Sequence, residues 1–320
     1  MKTLLVIELI LIGFASALFS ETAILPNEIA PAPYMRVRYS DESLAELQIC
    51  LRKLVTVEGD KPVIWLIGVS HIGDRAYYEH LQQVLDTCDL VFYEGVGDSP
   101  RLIQQAGVDA PPSLQGDLAD ALDLVFQLKA IDYQRRHFRN SDVSMAALQQ
   151  LMAQAEAESS DGKQASKELN QLISLMQGDS AWSGLVDGLM RQLKRAPEVK
   201  NATKLMFIEM LGNLKDDLGA DQMQPEMQKL MELLIDHRNI IVLKDIQRAL
   251  QQAMPPKTIG VFYGAAHMHD LEERISVLGY RVEENRWLGA ITLNLEDAGI
   301  RKQDVLMIRR LVKMQMDALK

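Results

Sequence analysis

Val63-Ile-Trp-Leu-Ile-Gly-Val-Ser-His71-Ile-Gly73 is the stretch whose reading decides the fold, and Thr258-Ile-Gly-Val-Phe-Tyr-Gly-Ala-Ala-His267 echoes it some 200 residues on. Each is a run of apolar and β-branched residues, the composition of a buried strand. Each ends in G-x-x-H. The glycine permits a sharp turn or a close approach of another group to the backbone, and the histidine falls just past the strand's C-terminal end. In open parallel α/β sheets that edge is where ligands bind. Two strand-Gly-x-x-His units can therefore present two imidazoles to one crevice.

Between them, Asp74 to about Thr87 reads as a helix with Tyr77, Tyr78, Leu81, Val84 and Leu85 on one side, and Asp89-Leu-Val-Phe-Tyr-Glu94-Gly95 as the next strand. This strand-helix-strand unit implies a parallel pair with a right-handed crossover. Upstream, Leu44, Leu47 and Leu51 stand at helical spacing, so 41–57 reads as a helix running into a short strand at 54–57. From about 114 to 252 no segment reads as a strand. The stretch is rich in Leu, Met, Ala, Gln and Lys, all good helix formers, and resembles a helical insertion in an α/β core. After the strand at 258–263 come a helix to Leu278, capped by Gly279, candidate strands at 280–284 and 290–295, and an amphipathic helix 302–319. That last helix carries Val305, Ile308, Leu311, Val312, Met316 and Leu319. The expected architecture is α/β: a central, mostly parallel sheet with flanking helices and one large helical insertion, residues 41–320 forming a single domain.

The 320 residues are 48% hydrophobic, enough for a sizeable core. A net charge of −10 argues against a nucleic-acid partner, which would call for a basic face. Residues 1–20 stand apart. Lys2, an apolar run from Leu4 to Phe19 and the small residues Ala15-Ser16-Ala17 have the form of a secretory signal peptide. Glu8 fits that form poorly, and an uncleaved anchor is the rival reading. Residues 21–40, with Pro26, Pro31 and Pro33, read as a linker. On this reading the protein is exported, and membrane association runs through the N-terminal segment alone. Cys50 and Cys88 could pair after export; neither belongs to a Cys/His metal cluster.

His71, Glu94 and His267 share a position, the C-terminal end of a predicted strand. Two histidines and a glutamate make a reasonable set of ligands for a divalent metal with positions left for water and substrate. Alone, each would more readily be a turn, cap or surface residue; the coincidence of three favours function. Arg238 lies on the apolar stripe of a helix read over 225–250 (Met227, Leu230, Met231, Leu234, Ile241, Val242) and so faces inward. A buried guanidinium needs an anion: Glu94 or a substrate group on one reading, Asp236, Asp245 or another core acid on the other. Ser70, His80, Asp132, His137, Asp142, His237, His269 and Asp270 are weaker candidates. Ser70 points away from its neighbour on an extended strand, His80 and His237 face solvent, and Ser141 or Asp142 caps a helix.

Taken in order, Gly68-Val-Ser-His71, Glu94, Arg238-Asn239 and Gly264-Ala-Ala-His267 resemble the TraB/GumN/PrgY superfamily, which includes the Tiki proteases. The segment Ala130-Ile-Asp-Tyr133 … Asp142 resembles one found in bacterial members. The resemblance covers roughly residues 60–295 and implies an erythromycin-esterase/ChaN-like fold. From the Tiki branch it implies a metal-dependent peptidase with His71, His267 and Glu94 at the metal, which would be manganese, cobalt or zinc, and Arg238 beside them. The sequence departs from the commoner pattern after His267, where Met-His-Asp replaces Leu-Pro-Gly. The leading expectation is an exported metal-dependent hydrolase acting on a peptide or small-molecule substrate. The alternatives are a metal-independent esterase-like hydrolase, a protein that sequesters a peptide or small ligand without turnover, and a helical interaction domain with a decayed site.

Overall fold

The computed structural model describes residues 33–40, 43–96, 100–101, 104, 114–158, 160–176, 183–214 and 229–318. The predicted signal peptide or anchor and most of the predicted linker lie outside the described residues, as do residues 225–228 of the predicted 225–250 helix.

The parallel part of the sheet is built from β3 (Val63–Val69), β5 (Leu90–Tyr93), β7 (Phe138–Asn140) and β8 (Thr258–Gly264), in the spatial order β3-β8-β5-β7. β1 (Met35–Ser40), β2 (Leu44–Thr56) and β9 (Tyr280–Asn294) extend it by antiparallel pairing. β2 pairs with β3, and β1 and β9 pair with β2. A separate two-stranded ladder joins β4 (Ile72–Gly73) to β6 (Val125–Phe126). β3 and β8 are buried along nearly their whole length, as expected of strands covered on both faces.

Helices lie on both sides. α1 (Arg75–Asp86) follows β3 and buries Tyr77, Tyr78, Leu81 and Leu85 in one core. α9 (Met268–Ser276) follows β8 and buries Leu271 and Ile275 in the core on the opposite face, where α8 (His237–Leu250) adds Val242, Ile246 and Ala249. The helical region between β5 and β8 holds α2 (Leu114–Ala121), the short α3 (Gln127–Ala130), α4 (Met145–Glu158), α5 (Ser160–Met176), α6 (Ser183–Arg195) and α7 (Pro197–Gly212). A π-helical turn, Glu232–Asp236, leads into α8. α10 (Lys302–Ala318) closes the chain against α7. Among the described residues no helix is long and apolar enough to cross a membrane.

The α/β class with its parallel centre is as the sequence suggests; several elements differ. The predicted helix at 41–57 is the strand β2. Leu44, Leu47 and Leu51 fit a helical spacing, but Ala45, Leu47, Ile49 and Leu51 fit a two-residue one, and all four of the latter are fully buried. The opposite face of β2 is buried too, because Cys50 and Leu54 enter the second core and Arg52 pairs with Glu272 of α9. A strand covered on both sides loses its alternation. β1 occupies the end of the predicted linker. β7 lies inside the supposedly all-helical insertion; three residues carry too little pattern to be read. β5 is parallel to β3, but β8 enters between them. The two candidate strands at 280–284 and 290–295 are one bulged strand, β9, continuous because β2 offers it a partner along its full length. In α10, Val305, Ile308 and Val312 are buried as expected, whereas Leu311 is exposed. The side chain of Met316, and Leu319, lie outside the described residues. Cys50 and Cys88 are both buried free thiols.

Candidate active site

β3 and β8 are neighbours, and the helices that follow them leave to opposite faces of the sheet. Chain segments that part in this way open a crevice at the strands' C-terminal ends. His71 comes off β3 and His267 comes off β8 in a single 3₁₀ turn, Ala265–His267. Glu94 follows β5 on the other side of β8, and Asp142 lies two residues beyond β7.

These side chains meet above Gly264. A methyl group placed on its Cα would stand 3.3 Å from Glu94 Oε2, 3.6 Å from His71 Nε2 and 3.7 Å from His267 Cδ2. Glycine is needed here because the site closes over the strand, not because the backbone turns. Gly68, in the first motif, works differently. A methyl there would meet Ile49 Cγ2 at 3.2 Å and the Cys50 carbonyl oxygen at 3.3 Å, so its absence lets β3 approach β2.

Glu94 is held at both oxygens. The Gly264 N–H donates to Oε2 at 2.7 Å and Arg238 Nη2 donates to Oε1 at 2.6 Å. Arg238 in turn grips Asp142 in a fork, Nε to Oδ1 at 2.9 Å and Nη2 to Oδ2 at 2.6 Å, and its Nη1 donates to the Leu234 carbonyl at 3.3 Å. The Asp142 side chain is fully buried and also accepts from the backbone N–H groups of Gly95 and Val143. Burial pushes the Glu94 carboxyl up. The Arg238 guanidinium, the two imidazoles and the Gly264 N–H more than reverse this and hold it well below the usual carboxylate range. Burial would lower the pKa of Arg238, but Glu94 and Asp142 raise it above its ordinary value.

Both imidazoles are tied back through Nδ1. His267 Nδ1 lies 2.7 Å from Asn239 Oδ1, and Asn239 Nδ2 donates to Asp270 Oδ2 at 2.7 Å and to the His267 carbonyl at 3.2 Å. Asp270 can only accept, so Asn239 presents its oxygen to the ring and the network assigns the proton to Nδ1. His71 Nδ1 lies 2.9 Å from Gln127 Oε1, whose Nε2 donates to Tyr133 OH at 2.7 Å. His267 Nε2 lies 3.7 Å from Glu94 Oε1. Burial lowers the pKa of His267 to about 4, against the pull of Glu94, so the ring is neutral at neutral pH.

This shift has a measurable consequence for metal-free protein. Above about pH 6.5 His267 is neutral in both folded and unfolded chains and costs nothing. As pH falls from about 6.5 towards about 4, the unfolded chain takes up a proton that the folded chain refuses, so stability is lost across that window. His267→Gln is expected to flatten this part of the stability–pH curve, as read by urea denaturation with chelator present. An unchanged slope would show that His267 is not the group responsible.

The donor chemistry suits a divalent cation. Two imidazole Nε2 atoms and an ionised carboxylate converge, each imidazole is backed by a hydrogen-bonded partner, and Glu94, Asp142 and Arg238 leave a net charge of −1. Two lone pairs facing each other at 3.7 Å call for something positive between them, and two ligands about 2.1 Å from one ion can stand up to about 4.2 Å apart. As the side chains stand, however, no group of three or more His, Cys, Asp or Glu among the described residues is gathered closely enough to hold an ion.

The weaker candidates separate cleanly. Ser70 turns away, donating to the Ile72 carbonyl at 2.7 Å. His80 is exposed, and His237 is half-buried beside Glu232 at 3.6 Å rather than open to solvent. His137 contacts the Leu85 carbonyl, Asp132 caps Gln134, and His269 lies 3.3 Å from Glu273. Arg238 uses neither Asp236 nor Asp245; these pair with Arg274 and Arg248. Asp142 and Asp270 belong to the site's support, as does Tyr133 of the 130–142 segment, and Gln127 is a supporting residue the sequence does not single out. Gln127 sits in a four-residue helix with no periodic signal, and what places it is its own N–H donating to the His71 carbonyl at 2.9 Å. A cavity of about 550 Å³ lies elsewhere, between β5, β7 and the end of α8. None of His71, Glu94, Arg238 or His267 lines it.

No protein-family model, no curated protein and no solved structure matches the chain.

Proposed function

We propose that the protein is a hydrolase that activates a water at the Gly264 centre, with a divalent cation as its resident group and a peptide bond as the leading substrate class. The observation that carries this reading is the convergence of Glu94 Oε2, His71 Nε2 and His267 on one point, with both Nδ1 atoms tied back. His71, His267 and Glu94 would hold the ion. When bound, such an ion lowers the pKa of a coordinated water and polarises a carbonyl.

The chain's own residues divide the remaining work. Glu94 is held well below the usual carboxylate range, so near neutral pH it anchors charge and does not serve as a general acid. Arg238 spends Nε and Nη2 on Asp142 and Glu94, so its role is to orient Glu94 rather than to meet a developing oxyanion. His71 is less buried than His267 and stands where substrate would enter. The peptide class rests on the resemblance of the motifs alone, and export rests on the reading of residues 1–20.

A metal-independent hydrolase is the second reading, favoured by one observation: among the described residues no three His, Cys, Asp or Glu side chains are gathered closely enough to hold an ion. There His71 Nε2 would take the proton from the attacking water. The test is a peptide-library cleavage assay on the purified full chain, with metal analysis, before and after chelation. Cleavage that stops on chelation and returns with added manganese, cobalt or zinc supports the first reading; cleavage that survives complete metal removal supports the second. Binding without cleavage in either state would mark a sequestering protein and overturn both.

A further inference from the structure

α10 is apolar on two sides. One side packs against α7 through Val305, Ile308 and Val312. The other carries Met307, Leu311 and Met314, spaced i, i+4, i+7 and thus aligned in one stripe, with Leu306 at its edge. Their exposures are 55%, 49%, 68% and 55%. A single exposed apolar residue needs no explanation, but an aligned run does. Arg310 and Lys313, both exposed, flank the stripe on the side of Leu306. Over Lys302–Ala318 the helix has four basic residues (Lys302, Arg309, Arg310, Lys313) and two acidic (Asp304, Asp317), in a chain of net charge −10. An apolar stripe edged by cations is the pattern of a helix lying in a lipid–water interface.

The position of the helix points the same way. Arg309 Nε donates to Glu209 of α7 at 2.7 Å and its guanidinium stacks over Tyr39 of β1. α7 ends at Gly212, packed on Arg36 and Val37. The C-terminal half of α10 therefore heads towards the start of β1, where residues 1–32 join the fold. The apolar run Leu4–Phe19 is separated from β1 by 15 residues, 20–34, which when extended reach about 50 Å. One amphipathic surface binds membranes weakly and reversibly, and stable anchoring takes a second signal.

We propose that the outward face of α10 is a membrane-contacting surface that seats the protein on a bilayer bearing anionic headgroups. Met307, Leu311 and Met314 enter the interface while Arg310 and Lys313 meet headgroup phosphates.

The test uses the full chain carrying Met314→Cys labelled with an environment-sensitive dye. Cys50 and Cys88 are buried, so the label goes to position 314. Phosphatidylcholine vesicles are compared with and without phosphatidylglycerol. The expected result is a blue shift of the dye and co-sedimentation with the anionic vesicles. Met307→Glu/Leu311→Glu is expected to weaken partition about tenfold or more, from the apolar area lost. Arg310→Glu/Lys313→Glu is expected to remove the preference for phosphatidylglycerol. If the chain sediments but the dye does not shift, the N-terminal segment acts alone and the proposal fails. It also fails if the dye shifts without vesicles in a concentration-dependent way that Leu311→Glu abolishes, because the stripe then packs against a second copy of the chain.

Discussion

If the chain is the hydrolase proposed above, Glu94→Gln is expected to lower its rate by about 10³-fold, within the roughly 10²–10⁴-fold span expected when a single charged group at a reacting centre is neutralised. The substitution keeps the size and hydrogen-bonding reach of the side chain but removes the charge facing the two imidazoles. The effect falls on kcat, because the lost charge acts on the activated water rather than on substrate binding. Both Glu94 oxygens accept hydrogen bonds, so the amide sets an N–H against Gly264 or Arg238 and the denaturation midpoint falls, while the fork from Arg238 to Asp142 remains. Activity within about threefold of wild type, in protein shown to be folded and metal-loaded, would remove Glu94 from the site.

Arg238→Met acts in the opposite manner, on stability before chemistry. It leaves two carboxylates, Glu94 and Asp142, buried without their cation. Breaking one side of a buried ion pair costs about 3–5 kcal/mol. The cost depends on pH in a defined direction. In the wild-type protein the Glu94 carboxyl is depressed from its ordinary value of 4.5. Its contribution is fully present above about pH 4.5 and is lost as pH falls below that. Without the guanidinium, burial dominates and raises the carboxyl, so acid relieves the strain in the variant while it weakens the wild type. The gap between them is therefore widest near neutral pH and narrows below about pH 4.5. Urea unfolding at pH 7 and pH 4 measures both; a gap that stays constant would mean Arg238 matters through packing alone.

The supporting contacts around the histidines show how far a sequence can be read. His71 and His267 are visible because each follows a buried apolar strand and a glycine, a local pattern. Glu94 is visible for the same reason. Asn239 and Asp270, which fix the His267 ring, are polar residues on helices, and helices are full of polar residues. Nothing local separates the Asn239 that meets an imidazole from one that meets water. Asp142 has a good local reason to be a helix cap, and only the arrival of Arg238 across the crevice makes it half of a clamp.

The strands tell a similar story. β3 and β8 declare themselves because burial on both faces makes them continuously apolar. β2 misleads because its second face is covered by α9 and its leucines satisfy two periods at once, and β7 is too short to show any period.

By itself the sequence determined the class of fold, an α/β protein with a parallel centre, and the three residues that end its strands, since both depend on apolar runs and the residues beside them. Only the tertiary structure decided that β8 stands between β3 and β5, and that the helices after β3 and β8 leave to opposite faces. It alone decided that Arg238 holds Glu94 and Asp142 together. Those are relations between segments far apart in the chain, fixed by which faces must be buried against one another, and no window of sequence contains both partners.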